Sequence, residues 1–551
     1  MTDVSDNAPR QLTRRGFLGG AAAGATILAL PGARPASAQA AGAAVHAESG
    51  RSASGAHEAD VVVVGAGFAG IAAAEAIVAA GRSVIVVEAR DRVGGRVWNA
   101  HLPDGQPIEI GGQWVGPTQD RLYAWADQVG VDTFPTHDQG AYVDYRNGMR
   151  FTYEGRIPTS DPVGAVEAGV LIERLNMMAA EVDPEAPWAA ASAGEWDHQT
   201  FRTWMDANMA TPGGKSLAEL VIEAIWACDP DDVALLHVLF YIASAMGDLN
   251  LLINTTGGAQ QDRFVGGSQE VVLRHAAALG DRVILGAPVR RVTQDASQVT
   301  VEADGLTVRA QRAIVALPPH LAGRIETSPP VGALRDQLSQ RMPMGSVIKA
   351  MAVYDTPFWR DEGLAGQATS DTGPVKLTFD NTPLSGTPGV LMGFFEADAA
   401  REWSTRSRSD RREAFLESSQ RYFGDQALEA THYLDLDWQA QPYSGGGYVG
   451  FTAPGVLTRY GAALRAPVGR LHWAGTETAT IWNGYMDGAI RSGERAGAEV
   501  LAVLDEPASP PPPAEETEPP PLPTTGAGAS SVAAGAALAT TAAAVRRRLR
   551  R

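Results

Sequence analysis

Asp60-Val61-Val62-Val63-Val64-Gly65-Ala66-Gly67-Phe68-Ala69-Gly70 decides the fold class of this 551-residue chain. Four β-branched residues in succession read as a strand covered on both faces, as in a parallel sheet. The glycine turn opens an Ala-rich helical stretch that runs to about Ala80, and Gly81 ends it. Val84 to Val87 reads as a second strand with Glu88 at its carboxyl end. The order is strand, glycine turn, helix, strand, acid. Gly65 permits the tight turn, Gly67 lets backbone approach a pyrophosphate, and Gly70 allows close helix packing. Amides at the helix start favour phosphate, and Glu88 is placed to accept from ribose hydroxyls. The unit reads as an α/β dinucleotide-binding fold.

Glu88-Ala89-Arg90-Asp91-Arg92-Val93-Gly94-Gly95-Arg96 adds a second glycine pair and an arginine just past the acid. Amides at Gly94 and Gly95, with Arg96, are placed to grip the same pyrophosphate from its far side. Here the chain resembles the flavin-containing amine oxidase family, monoamine oxidases in particular. Ile110-Gly111-Gly112-Gln113-Trp114-Val115-Gly116-Pro117-Thr118-Gln119 extends the match. So do Phe264 to Ser268, Gly345-Ser346-Val347-Ile348-Lys349, Ser444-Gly445-Gly446-Gly447-Tyr448, Ala474 to Thr480, and Trp482-Asn483-Gly484-Tyr485-Met486-Asp487-Gly488. The resemblance runs in order from about Ala59 to Leu501.

The resemblance implies an amine oxidase fold: an FAD-binding Rossmann-like domain from segments 57–133, 265–338 and 441–503, and an α+β substrate domain from 134–264 and 339–440. It implies oxidation of an amine to an imine that hydrolyses to aldehyde and ammonia, with oxygen reoxidising the flavin and hydrogen peroxide released. Cofactor contacts are expected from Gly65, Gly67, Phe68, Ala69, Gly70, Glu88, Ala89, Arg90, Gly95 and Arg96. Gly112, Gln113, Trp114, Val289, Trp438, Gly475, Thr476, Glu477, Tyr485 and Met486 complete that set. Tyr448 and Tyr485 would form an aromatic cage either side of the path to flavin N5, holding an amine by lone-pair orientation or cation–π attraction. Lys349 would hold a water at N5, its pKa lowered by desolvation. A helix from Gly484 to about Val500 would aim its positive end at flavin N1/C2=O through the Met486 amide. Relatives that attach FAD covalently carry Cys where this chain has Gly447, so non-covalent FAD is expected.

The resemblance lines the substrate cavity with Trp114, Tyr241, Ile253, Gln260, Leu377, Phe394, Tyr448 and Tyr485, which favours an arylalkyl monoamine such as tyramine or phenylethylamine. A diamine would want a carboxylate at the far end. Leu377 supplies none, and Lys376 would repel a second ammonium if it faced inward; Asp380 would reverse this by pointing in. An amino-acid oxidase would want an arginine for the substrate carboxylate, and Arg263 is the candidate. A putrescine or polyamine oxidase and an L-amino-acid oxidase therefore remain alternatives. A non-enzymatic surface binding protein and a lipid desaturase are disfavoured by Lys349 and the two tyrosines.

Elsewhere, residues 283–310 read as a β meander, residues 410–423 as a helix with Ser409 as N-cap and Gly424 past its end, and Leu471 to Ala474 as a strand. The single cysteine, Cys228, follows an apolar run and reads as a buried hydrophobe; it excludes an intramolecular disulfide. No His/Cys cluster has metal spacing, so no metal is expected.

The ends read as addresses. Thr13-Arg14-Arg15-Gly16-Phe17-Leu18, an apolar stretch and Ala36-Ser37-Ala38 make residues 1–38 similar to a twin-arginine export signal. Residues 504–521 are a Pro/Glu-rich linker of extended character. Leu522-Pro523-Thr524-Thr525-Gly526, then uncharged Ala-rich residues and a terminus with five Arg, make 522–551 resemble a sortase signal cut between Thr525 and Gly526. The expectation is export through the twin-arginine translocase and sortase attachment to peptidoglycan, at the extracellular face of a Gram-positive-type bacterium. Residues 1–38 carry four Arg and two Asp, and 527–551 five Arg and no acid. The chain's −18 thus becomes −25 without both ends. That charge argues against nucleic acid as a partner. Partners are a small amine and oxygen, with a homodimer left open.

Overall fold

The computed structural model describes residues 55–155 and 157–505. The twin-arginine segment, the linker beyond Asp505 and the Thr525–Gly526 junction lie outside them.

The valine run forms the inner strand of the nucleotide sheet. The strand is Gly55–Val64, longer than its apolar core, because it pairs in parallel with Leu306–Ala316 from Gly55↔Leu306 to Val64↔Val315. On its other side it pairs in parallel with Val84–Val87, which pairs with Val283–Ile284. The sheet continues outward from Leu306–Ala316 through Val299–Ala303 and Val289–Gln294 to Glu326–Ser328, and Leu471–Ala474 runs parallel to the far end of Leu306–Ala316. The expected meander is therefore corrected: Val283–Ile284 sits at the opposite edge from its neighbours, since its apolar pair completes the parallel layer.

Helix Phe68–Ala79 packs on this sheet, and Gly81, at φ +75°, turns the chain after it. Helix Met486–Asp505 lies across it at close range: a Cβ at Gly493 would sit 2.1 Å from the Ala69 carbonyl oxygen. This helix starts two residues later than expected, after Trp482 and Gly484 take positive φ. Both helices thereby bring their N-terminal turns to one cavity.

A seven-stranded sheet forms the second layer, in the order His432–Asp437, Val347–Tyr354, Gly389–Glu396, Leu377–Asp380, Leu364–Ser370, Ala141–Arg146, Met149–Tyr153. The period-2 alternation of strands sends Val347 and Lys349, Gln367 and Thr369, Leu377 and Phe379, and Phe394 to one face, where they wall the cavity. Helix Arg408–Phe423 supports the other side. Its N-cap is Ser407, not Ser409, because Ser407 and Asp410 form a reciprocal capping box; Gly424 follows its end as expected. Cys228 is fully buried, and burial pushes its thiol well above the ordinary range. No helix among the described residues is long and apolar enough to cross a membrane.

Candidate active site

A cavity of about 700 Å³ lies between the two sheets and extends under helices Pro162–Ala179 and Pro212–Trp226. One end is built from backbone and charge. Gly65, Gly67, Phe68 and Ala69 line it, facing Gly95. A Cβ built at Gly67 would meet nothing nearer than the Gly95 Cα at 3.9 Å, so the two glycines leave a bare trough. Helix Phe68–Ala79 has no side-chain cap, which leaves its first amides to an outside acceptor. Glu88 closes the trough: its Oε2 accepts from the Ala66 amide at 2.8 Å and its Oε1 from the Arg90 amide at 2.9 Å. Each oxygen retains capacity for a ribose hydroxyl. Ala89, Arg90, Val289, Gly475, Thr476 and Met486 line the same end. Glycine trough, uncapped helix and buried acid fit a dinucleotide such as FAD.

Two expected contacts take other positions. Gly70 does not line the cavity; a Cβ there would sit 1.9 Å from the Gly65 carbonyl oxygen, so its absence seats helix on turn. Glu477 also lies behind the wall, fully buried, and accepts from Arg96 Nη1 at 2.6 Å and Nη2 at 3.1 Å, and from the Gly450 amide at 3.2 Å. Burial is the largest influence and opposes its ionisation, but the Arg96 charge, the Arg96 hydrogen bonds and backbone amides together outweigh it and hold the carboxyl below its ordinary range. Arg96 Nη1 also donates to the Tyr448 carbonyl at 2.9 Å. Arg96 lines the cavity with its fork bound to Glu477, so it ties the nucleotide loop to the cage segment. The Gly94 amide is likewise taken, by the Ala66 carbonyl at 2.9 Å, which removes it from the expected pyrophosphate grip.

At the junction of the two halves sits Lys349, 3% exposed. Its Nζ donates to the Gly111 carbonyl at 2.8 Å and to Gln113 Oε1. Burial lowers its pKa to about 7, with Glu109 opposing and Arg263 reinforcing the shift. Trp438 Nε1 donates to the Ile110 carbonyl at 3.1 Å, setting the indole against the segment that also holds Lys349 through Gly111. Gly112, Gln113, Trp114 and Gly447 line this region.

The other half is aromatic and aliphatic. Tyr448 and Tyr485 both line it. Phe394 meets Tyr448 edge-on at 5.6 Å, and Trp482 meets Tyr485 edge-on at 4.8 Å. Tyr241 lies 6.0 Å from Tyr485, and burial raises both phenols above their ordinary range. Trp114 packs 5.0 Å from Phe379, with Ile253, Gln260 and Leu377 in the same lining. Further apolar wall that the motifs did not reveal comes from Leu171, Leu175, Leu217, Val221 and Ile225. Their helical spacing is visible in sequence, but spacing alone does not distinguish a cavity wall from a core.

The three charged side chains left open by sequence are all engaged. Lys376 Nζ pairs with both oxygens of Glu223 at 2.9 and 2.8 Å. Asp380 Oδ2 accepts from Trp359 Nε1 at 2.8 Å and Arg360 Nε at 2.7 Å, while its Oδ1 takes the Thr382 amide. Arg263 pairs with Glu109 at 2.7 Å and with the Thr382 carbonyl at 3.0 Å. Among the described residues lining the cavity, Glu88 is the one carboxylate.

Comparison with known proteins fits this geometry. The family model described as flavin containing amine oxidoreductase matches residues 68–501. A Mycobacterium tuberculosis protein named flavin-containing monoamine oxidase AofH is 43% identical over 445 residues, covering 81% of this chain and 97% of the relative. An L-amino acid dehydrogenase of Synechocystis is 37% identical over 456 residues, covering 81% of this chain and 95% of the relative. The solved structure of wild-type putrescine oxidase bound to putrescine aligns with a TM-score of 0.78 and 35% identity, covering 81% of this chain and all of that one.

Proposed function

We propose, from the premise that the chain belongs to the flavin containing amine oxidoreductase family and is an FAD-dependent amine oxidase, that its substrate is a primary arylalkyl monoamine such as tyramine or phenylethylamine. Products are the aldehyde, ammonia and hydrogen peroxide. The observation that carries this reading is the cavity lining: aromatic and aliphatic around Tyr448 and Tyr485, with its one carboxylate, Glu88, at the nucleotide end. Bound FAD supplies the two-electron acceptor that oxygen regenerates.

The chain's own residues position the amine and handle its proton. Tyr448 and Tyr485 present ring faces between which an amine is oriented, and the apolar wall excludes water around it. Lys349 has one N–H beyond its bonds to Gly111 and Gln113. With a pKa of about 7 it gains or loses a proton at Nζ near neutrality. Trp438 and Gly447 bound the flavin end, and the absence of a sulfur at Gly447 supports non-covalent FAD.

A second reading, putrescine oxidation, is favoured by the structural neighbour bound to putrescine. It lacks a carboxylate partner for a second ammonium, because Asp380 is bound to Trp359 and Arg360. For amino-acid oxidation, Arg263 is not available to a substrate carboxylate, since it is bound to Glu109. Peroxide-coupled assays separate the three: kcat/KM for tyramine should exceed that for putrescine and for phenylalanine by about tenfold or more. A preference for either of the others overturns the monoamine reading.

The Arg14-Arg15 leader and the Thr525–Gly526 signal support export and wall attachment. Recovery of the enzyme in the muralytic digest of a sortase-bearing host, and its loss from that fraction with a Thr525→Pro variant, tests the assignment. Equal recovery of both would contradict it.

A further inference from the structure

Glu396 is a buried carboxyl for which the mechanism above has no use. It ends strand Gly389–Glu396, two residues beyond Phe394 and so on the same face, and is 6% exposed. It accepts from the Tyr448 phenol at 2.8 Å. The Tyr448 side chain is thus held at both ends, its phenol by Glu396 and its backbone carbonyl by Arg96. Phe394 packs edge-on against the ring at 89°.

We propose that Glu396 is a positioning residue acting through Tyr448: it orients the cage ring and, when ionised, strengthens the hold of the cage on a cation. This rests on the reading of Tyr448 as a cage wall. The physical ground is twofold. A phenol donating to a carboxylate carries more electron density on its ring face than one bonded to a neutral acid, and that face is what attracts a cation. A negative charge one side chain behind the cage also acts through a medium that screens poorly.

The surroundings place the switch in the working pH range. Burial pushes the Glu396 carboxyl up to about 7; the Tyr448 hydrogen bond and the Lys376 charge oppose this and Glu223 reinforces it. Glu223 and Lys376 are paired with each other. Lys349 lies on the adjacent strand opposite Phe394. On the helix that follows Glu396, Asp398 and Arg401 pair with each other and Arg401 with Asp229. Lys349, its pKa lowered to about 7 by burial, is a second group of this wall that titrates near neutrality.

The test uses benzyltrimethylammonium, a permanent cation, so that substrate ionisation plays no part. Its dissociation constant is measured on FAD-loaded enzyme from pH 5.5 to 8.5 by flavin difference absorbance. The background is Lys349→Met, which removes the second titration. The expected result is binding about fivefold tighter above pH 7 than below, roughly the strength of one cation–π contact. The step should disappear in Glu396→Gln and return with Glu396→Asp. Should Glu396→Gln lose its flavin, Tyr448→Phe serves instead: it removes the phenol–carboxylate bond and leaves the charge, so the step should shrink to the through-space part alone. A step that survives in the Gln variant, or at full size in the Phe variant, overturns the inference, while loss of binding in Tyr448→Leu still upholds the cage. Affinity unchanged in Tyr448→Leu overturns the cage reading and the inference with it.

Discussion

Replacing Glu477 by Gln removes one charge and almost no volume from the join between the nucleotide loop and the cage. Glu477 is 0% exposed and Arg96 23%. The substitution leaves the guanidinium without its counter-charge and weakens bonds of 2.6 and 3.1 Å. Breaking a buried pair by removing one partner costs about 3–5 kcal/mol. Arg96 keeps some access to the cavity, so the lower end, about 3 kcal/mol, applies. For roughly 450 ordered residues the unfolding entropy is about 1 kcal/mol per degree, so the melting temperature should fall by about 3 °C. Arg96 also holds the Tyr448 carbonyl, and a displaced cage ring should slow flavin reduction roughly ten- to a hundredfold. The assay is thermal unfolding at one scan rate together with anaerobic stopped flow, for Glu477→Gln, Arg96→Met and the double variant. With both charges gone the double variant should recover most of the stability. A Glu477→Gln protein melting within about 1 °C of wild type and reducing at the wild-type rate, or single effects that simply add, would refute the reasoning.

Other consequences are equally direct. Lys349→Met should keep its FAD yet reduce flavin with amine about a hundredfold more slowly. The rate of flavin reduction at saturating amine should carry an ionisation near pH 7 in wild type, and Lys349→Met should lose it while the Glu396 step in binding stays; an unchanged rate profile would assign that ionisation elsewhere. Gly70→Ala forces a methyl to within 1.9 Å of the Gly65 carbonyl oxygen, so the purified protein should carry well under half its flavin by absorbance; full occupancy would show that the turn relaxes freely. Guanidinium followed by ultrafiltration should release essentially all yellow colour from the chain, whereas flavin retained with the protein would indicate covalent attachment. Because Arg96 depresses the Glu477 pKa, the pair's stabilisation is present above the ordinary glutamate range, roughly pH 4, and is lost as pH falls below it. Wild type should lose more stability over that interval than Glu477→Gln, as read by melting scans.

What the sequence made legible was carried by local order. The valine run, glycine turn and Glu88 are contiguous, and each has one physical reading. Lys349, Tyr448 and Tyr485 were marked by motif context, and the structure brings all three to one cavity. What stayed hidden depends on partners distant in the chain. Arg96 and Glu477 are 381 positions apart, so a pyrophosphate contact was the natural expectation from the loop alone. Glu396 ends a strand buried along its whole length and finds its partner 52 residues on, with nothing local to mark it. Lys376, Asp380 and Arg263 carried the substrate alternatives, and only their pairing with Glu223, Arg360 and Glu109 decides where their charges point. Ser407 displaced Ser409 as cap because Asp410 completes its box, a choice between two serines two positions apart. The edge position of Val283–Ile284 follows from tertiary pairing with Val84–Val87, which no turn signal encodes.

The most direct test of the account is anaerobic mixing of purified, FAD-loaded enzyme with tyramine, putrescine and phenylalanine in turn, following the visible flavin band. Tyramine should bleach the flavin rapidly, the other two slowly or not at all, and the tyramine reaction should be lost when both Tyr448 and Tyr485 are replaced by Leu. Flavin that putrescine or phenylalanine bleaches and tyramine does not would contradict the account.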